Sequence, residues 1–201
     1  ADLALDPAVF PDALTLQLPA NLGRLQVTNA QGDDNGDEAF SRLFAFGSRS
    51  FSIWNTQGQQ VFDSGNAFEV LTANRLGEQF NSDNNDNESG DSRSAARGPE
   101  PAGVTLSTLE GRTYAFIALQ RVGGIAVYDV SVPESPRFVQ YLNNRNFSRN
   151  ATAAQAGDLG PEGLLLIPAS DSPTAQPLLI VTNEVSGSTT IYRVDVIALT
   201  E

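Results

Sequence analysis

The chain has 201 residues, 40 % of them hydrophobic, a formal net charge of −12, and no His, Cys, Met or Lys, so that all 12 basic residues are Arg. That inventory excludes a Ser-His-Asp triad, a cysteine nucleophile, a lysine Schiff base and any thiolate or imidazole metal site. It leaves oxygen ligation, which suits calcium or magnesium. The acidic balance disfavours nucleic acid and anionic membranes and favours multivalent cations, although it also reads as plain solubilising charge. No apolar run approaches the roughly 20 residues of a membrane-spanning helix. A start at Ala1 fits either a processed secreted protein or an excised piece.

From the amino terminus, Asp6-Pro7 and Phe10-Pro11-Asp12 are turn chemistry, and "LTLQL" (14–18) and "GRLQVTN" (23–29) alternate as half-buried strands do. After the polar tract 31–40, "RLFAFGSRSFSIWNTQGQQVFDSG" (42–65) reads as three short strands, with "NTQG" as a tight turn before the last. Phe68, Leu71, Leu76 and Phe80 fall near helical spacing and predict one short helix. Residues 81–97, within "NSDNNDNESGDSRSAARGP", predict a long acidic loop, either disordered or functional.

Regularity begins at Gly98. Four strands are predicted at 103–108, 112–120, 124–130 and 137–142, turned by "EGR", "RVGG" and the proline-bounded "SVPESP". "GPEPAGV" from Gly98 is echoed by "GPEGLLL" from Gly160, and "YAFIALQRVGGIAVYDV" by "PLLIVTNEVSGSTTIYRV". Similarity at a fixed spacing is the signature of repeats. The expected fold is therefore all-β: part of a β-propeller of about three four-stranded blades, in units near 14–80, 98–144 and 160–197. Three blades are too few for a closed ring, so a missing segment or second chain should complete it.

"FGSRSFSIWNTQGQQVFDSG" (46–65), "GRTYAFIALQRVGGIAVYDVSVPESPRFVQYLNNRNFS" (111–148), "GDLGPEGLLLIPASDSP" (157–173) and "LLIVTNEVSGSTTIY" (178–192) together resemble the choice-of-anchor I family of bacterial surface proteins. That family is similar to mesenchyme-specific cell-surface glycoproteins linked to biomineralisation. The resemblance runs from about Leu22 to Val194. It implies an extracellular, periplasmic or surface-anchored propeller, of which this chain would be the carboxy-terminal portion, and a role in handling calcium. Some relatives carry an alkaline-phosphatase label, but phosphatase metal sites use His, and this chain has none.

Three clusters are candidate calcium sites. Asp33, Asn35 and Asp37 alternate as do the first ligands of an EF-hand loop, but Glu38 stands where that loop needs Gly and Phe44 where it needs Glu. The alternative is a solvated acidic turn. Asp83, Asn85, Asn87 and Asp91 repeat the alternation with diluted charge. Glu100, Glu162 and Glu184 should gather with Arg121 on one propeller face, either to hold a cation or to pair as architecture. Arg49 and Arg93 suit anions or nearby carboxylates, and Trp54 and Tyr128 read as core. Sequons at Asn87, Asn146 and Asn150 permit N-glycosylation, which in a bacterial protein would be idle.

These features lead to a non-enzymatic, calcium-stabilised surface or matrix module. Its partners would be the rest of the propeller and a surface component, with no nucleic acid and no membrane insertion. A metal-dependent phosphoesterase completed by residues outside the chain, or a structural subunit of a surface layer or filament, are the alternatives.

Overall fold

A computed structural model describes residues 3–47 and 49–196. Among the described residues nine strands form three antiparallel sheets: β1 (Ser52–Trp54) with β2 (Gln60–Asp63), a four-stranded sheet and a three-stranded sheet, the strands of the last two in chain order. Helix α1 is one turn (Ala13–Leu16) and helix α2 spans Ala67–Leu76.

The four-stranded sheet is the centre of the molecule. It comprises β3 (Pro101–Leu109), β4 (Arg112–Leu119), β5 (Ile125–Asp129) and β6 (Arg137–Leu142). Glu110 and Gly111 both adopt positive φ and so give β3–β4 the two-residue hairpin turn whose twist matches paired strands. At the next turn Gly124 is obligatory. Its φ is also positive, and a Cβ there would lie 2.5 Å from the Leu142 carbonyl oxygen and 2.6 Å from the Tyr141 ring.

Strands β4 and β5 are apolar on both faces, so both faces must be covered. Ala115, Ile117, Leu119, Ala126 and Tyr128 pack against Phe68 and Leu71 of α2 and against Phe51. Phe51 and Phe68 close on the Tyr128 ring at centroid distances of 4.9 and 6.0 Å. On the other face, Phe116, Ala118, Ile125 and Val127 meet Leu164 and Leu166 of β7 (Pro161–Ile167), Leu179 and Val181 of β8 (Leu178–Asn183), and Tyr192 of β9 (Ser188–Arg193).

The all-β reading holds, as does the short helix, which starts one residue early and ends in a 3-10 turn over Gly77–Gln79. The four central strands lie within two residues of their expected ends. The sheets are open: among the described residues none closes on itself, and no ring is formed. Among the described residues unit 14–80 holds two strands, and unit 160–197 holds three up to Arg193, residues 48 and 197 lying outside the described residues.

"LTLQL" is not a strand. The Asp12 carbonyl accepts from the Thr15 and Leu16 amides, and Ala13 from Gln17, which closes a helical turn with Leu14 left 87 % exposed. "GRLQVTN" contributes one bridge, Val27 to Ala45, in place of a strand, and the first of the three strands expected in 42–65 is reduced to that same bridge. Correct alternation does not make a strand without a partner edge. Trp54 is 58 % exposed, contrary to its reading as core, because β1 is too short and too peripheral to cover it.

Phe68 is fully buried between the helix and the central sheet. Phe68→Ala is expected to cost about 3–5 kcal/mol in urea unfolding, whereas Leu14→Ala should change stability by less than about 0.5 kcal/mol.

Candidate functional site

The long loop 81–97 has no strand or helix, yet it is packed rather than open. Asn81, Ser82, Asn84 and Asn87 are all at most 3 % exposed. The loop lies across the end of the central sheet, where β3 begins and β4 turns into β5.

Arg145 holds it there. This side chain is 7 % exposed and, among the described residues, has no carboxylate within hydrogen-bonding distance. Its Nε donates to Asn87 Oδ1 at 2.7 Å, one Nη to the Asp83 and Asp86 carbonyls at 2.6 and 3.0 Å, and the other to the Arg121 carbonyl at 2.9 Å. The guanidinium lies over the Phe147 ring, 4.4 Å from its centroid. Burial pulls its pKa down to about 10, against the opposing pull of Asp83, Tyr141 and Asp86, so it stays charged at neutral pH.

Beside it, Glu100 is paired twice over. Its carboxylate accepts from Arg97 and from Arg121 Nε, each at 2.7 Å, and Arg93 stands at 3.8 Å. Burial alone would raise the Glu100 carboxyl, but the Arg121 and Arg97 hydrogen bonds and charges outweigh it and hold it below the usual range. Glu100 also has a positive φ, a strained conformation for a side chain of its kind.

Asp83 faces Arg121 at 3.3 Å and Arg93 at 3.4 Å. Arg121 donates to Asn84 Oδ1, and Asn84 Nδ2 and Gln120 Nε2 both donate to Glu184 Oε1, at 3.0 and 2.8 Å. The network thus ties the loop to both sheets. Glu100, Arg121 and Glu184 share one edge, as the sequence suggests, and the two glutamate carboxylates are engaged in protein contacts.

Glu162 starts at the same edge but is exposed, and its side chain has no hydrogen bond or ion pair among the described residues. Its expected equivalence to Glu100 does not hold. The Gln120 and Arg121 amides bond to the Glu100 and Pro99 carbonyls, and the Glu184 and Val185 amides bond to the Gly160 and Leu159 carbonyls. Both hairpins then bulge after a proline, at Pro101/Gly103 and Pro161/Gly163. Glu100 therefore corresponds to Gly160, and Glu162 to Ala102.

The other clusters are dispersed. Asn87 serves Arg145, Asp91 pairs with Arg24 at 3.0 Å and accepts from Ser94, and Asn85 is exposed. In the 33–37 turn, Asp33 accepts from the Gly36 and Glu38 amides, Asn35 from the Asp37 amide and Asp37 from the Ala39 amide. Among the described residues no group of three acidic side chains is placed to hold a metal ion. Arg49 pairs with Glu69 at 2.5 Å, in keeping with the carboxylate reading.

The sequence profile of the choice-of-anchor I domain matches residues 1–133. The chain belongs to the choice-of-anchor I family. In this family member the matched part covers α2, β3, β4 and β5, and so includes both Glu100 and Arg121. Gigasin-3a of Magallana gigas is 27 % identical over 191 residues, which cover 90 % of this chain and 67 % of that protein. No solved structure matches.

Two measurements check the site. Arg145→Ala leaves several buried carbonyls and Asn87 without their donor, so it should cost roughly 3 kcal/mol or more and open residues 81–97 to limited proteolysis. For Glu100, folding depresses the carboxyl pKa. Its stabilisation is present above the unfolded value of about 4.3 and is lost as pH falls through the folded value. Denaturation midpoints should therefore fall below about pH 4, and less steeply in Glu100→Gln.

Proposed function

We propose that this protein is a surface-associated binding or scaffold module without catalytic chemistry of its own, its sheets being consecutive blades of a propeller completed by further chain. The observation that carries the reading is how far the loop edge is already engaged: Glu100, Asp83 and Glu184 are each held by Arg, Asn or Gln of the same chain, and of these edge carboxylates only Glu162 has no partner among the described residues. A metal-dependent catalytic edge would need several free carboxylates brought together, and Glu162 stands alone. Membership in the choice-of-anchor I family supports the surface setting. No helix among the described residues is long and apolar enough to cross a membrane. The face-to-face packing of the four-stranded and three-stranded sheets, with their matching bulged hairpins, supports the blade arrangement. Nothing assembled at the edge favours the phosphoesterase alternative.

Calcium is part of the proposal, and its place is the turn at Asp33, Asn35 and Asp37. There three side chains at alternate positions each have an oxygen held by a nearby backbone amide, on a polar loop of a chain carrying −12. A carboxylate oxygen that accepts one amide keeps a lone pair for an ion.

Isothermal titration with calcium, paired with melting in chelator, tests this. Calcium should raise the melting temperature, and Asp33→Asn with Asp37→Asn should abolish that rise. An identical melt with calcium and with chelator would reject the ion while leaving the scaffold reading in place. Phosphatase activity in the full-length protein, lost in Glu184→Gln, would reject the scaffold reading.

A further inference from the structure

The chain has three Asn-x-Ser/Thr sequons, and the fold treats them in two ways. Asn87 is 3 % exposed. Its Nδ2 donates to the Asn146 carbonyl at 3.1 Å and the Arg149 carbonyl at 2.6 Å, while its Oδ1 accepts from Arg145. Both hydrogens of that nitrogen are engaged, and the residue is shut away from solvent.

Asn146 and Asn150 are the opposite case. Both lie in the segment joining β6 to β7, and both are exposed. Asn146 Oδ1 accepts from the Ser148 amide at 3.1 Å and the Ser148 hydroxyl at 2.7 Å. Asn150 Oδ1 accepts from the Thr152 amide at 2.9 Å and the Thr152 hydroxyl at 2.7 Å. Neither Nδ2 has a partner among the described residues. In each motif the hydroxyl therefore already donates to the carboxamide oxygen. That draws electron density away from the nitrogen, makes its N–H more acidic and leaves it free to react.

We infer that Asn146 and Asn150 are acceptor sites for N-linked oligosaccharide, and that the same motif at Asn87 is closed by the fold. The donor is a lipid-pyrophosphate-linked oligosaccharide. The carboxamide nitrogen gives up one proton and attacks the anomeric carbon. The new C–N bond replaces the C–O bond to pyrophosphate, and the lipid pyrophosphate leaves. A sugar on Asn87 would take a hydrogen from the pair that holds Asn146 and Arg149, and would need room where those two carbonyls sit. The acceptor segment is itself held in place, since the Asn146 amide donates to the Ala156 carbonyl at 2.8 Å.

The surface setting proposed above would bring the chain to such machinery, but the test supplies its own route, so its failure would bear on geometry rather than location. The full chain is secreted from a eukaryotic host, and the folded fraction is treated with a glycan-releasing amidase in heavy-oxygen water and mapped by peptide mass spectrometry. Label is expected at Asn146 and Asn150 and not at Asn87. Asn146→Gln with Asn150→Gln should abolish the glycan mobility shift and leave the melting temperature of the deglycosylated protein unchanged. Label at Asn87 in folded protein, or at neither Asn146 nor Asn150, would overturn the inference.

Discussion

The structure depends most on one buried guanidinium that, among the described residues, has no carboxylate paired with it directly. An isolated ammonium or guanidinium in a protein interior is costly unless every donor is met. Arg145 meets that condition with backbone carbonyls, one amide oxygen and an aromatic face. Its acceptors come from distant parts of the chain: the loop at Asp83, Asp86 and Asn87, and the β4–β5 turn at Arg121. Planarity and five donors let Arg do this, where Lys could not fill so many fixed directions at once.

Once the loop is held, the acidic excess of the chain takes on an uneven distribution. Around Glu100 the signs are interleaved, with Arg93, Arg97 and Arg121 set against Glu100 and Asp83. The uncompensated negative charge must lie elsewhere on the surface. A neutralised, hydrogen-bonded rim and an acidic exterior are the features on which the proposed scaffold role rests.

Much of the central sheet was legible in the sequence because its signals agree. "AFIAL" and "IAVY" are continuous apolar runs, as strands covered on both faces must be, and glycine turns and prolines bound them. The amino-terminal part was not legible, since alternation at 14–18 says which face a strand would bury and nothing about whether an edge exists to pair with. The Gly-Pro-Glu echo misled for a different reason. It matched letters, setting Glu100 against Glu162, whereas the bulged hairpins align Pro101 with Pro161, and only the ladder reveals that offset. Arg145, in "NNRNF", carried no pattern to find. The Asn-rich loop read by composition as either disordered or functional, yet Asn supplies a donor and an acceptor on a short stem, which is what a buried loop without secondary structure requires.

The bond between Asn84 and Glu184 joins residues 100 positions apart. The hairpins around it are local, with β3 turning directly into β4 and β8 into β9. Closing a long loop before its contacts exist is entropically unfavourable, so local pairs form early and distant ones late. During synthesis the 81–97 segment emerges well before the strands that complete its surroundings. The bonds of Asn84 and Gln120 to Glu184 are therefore the last of the rim's contacts to become possible, and until β8 and β9 arrive that side of the edge lacks its partner.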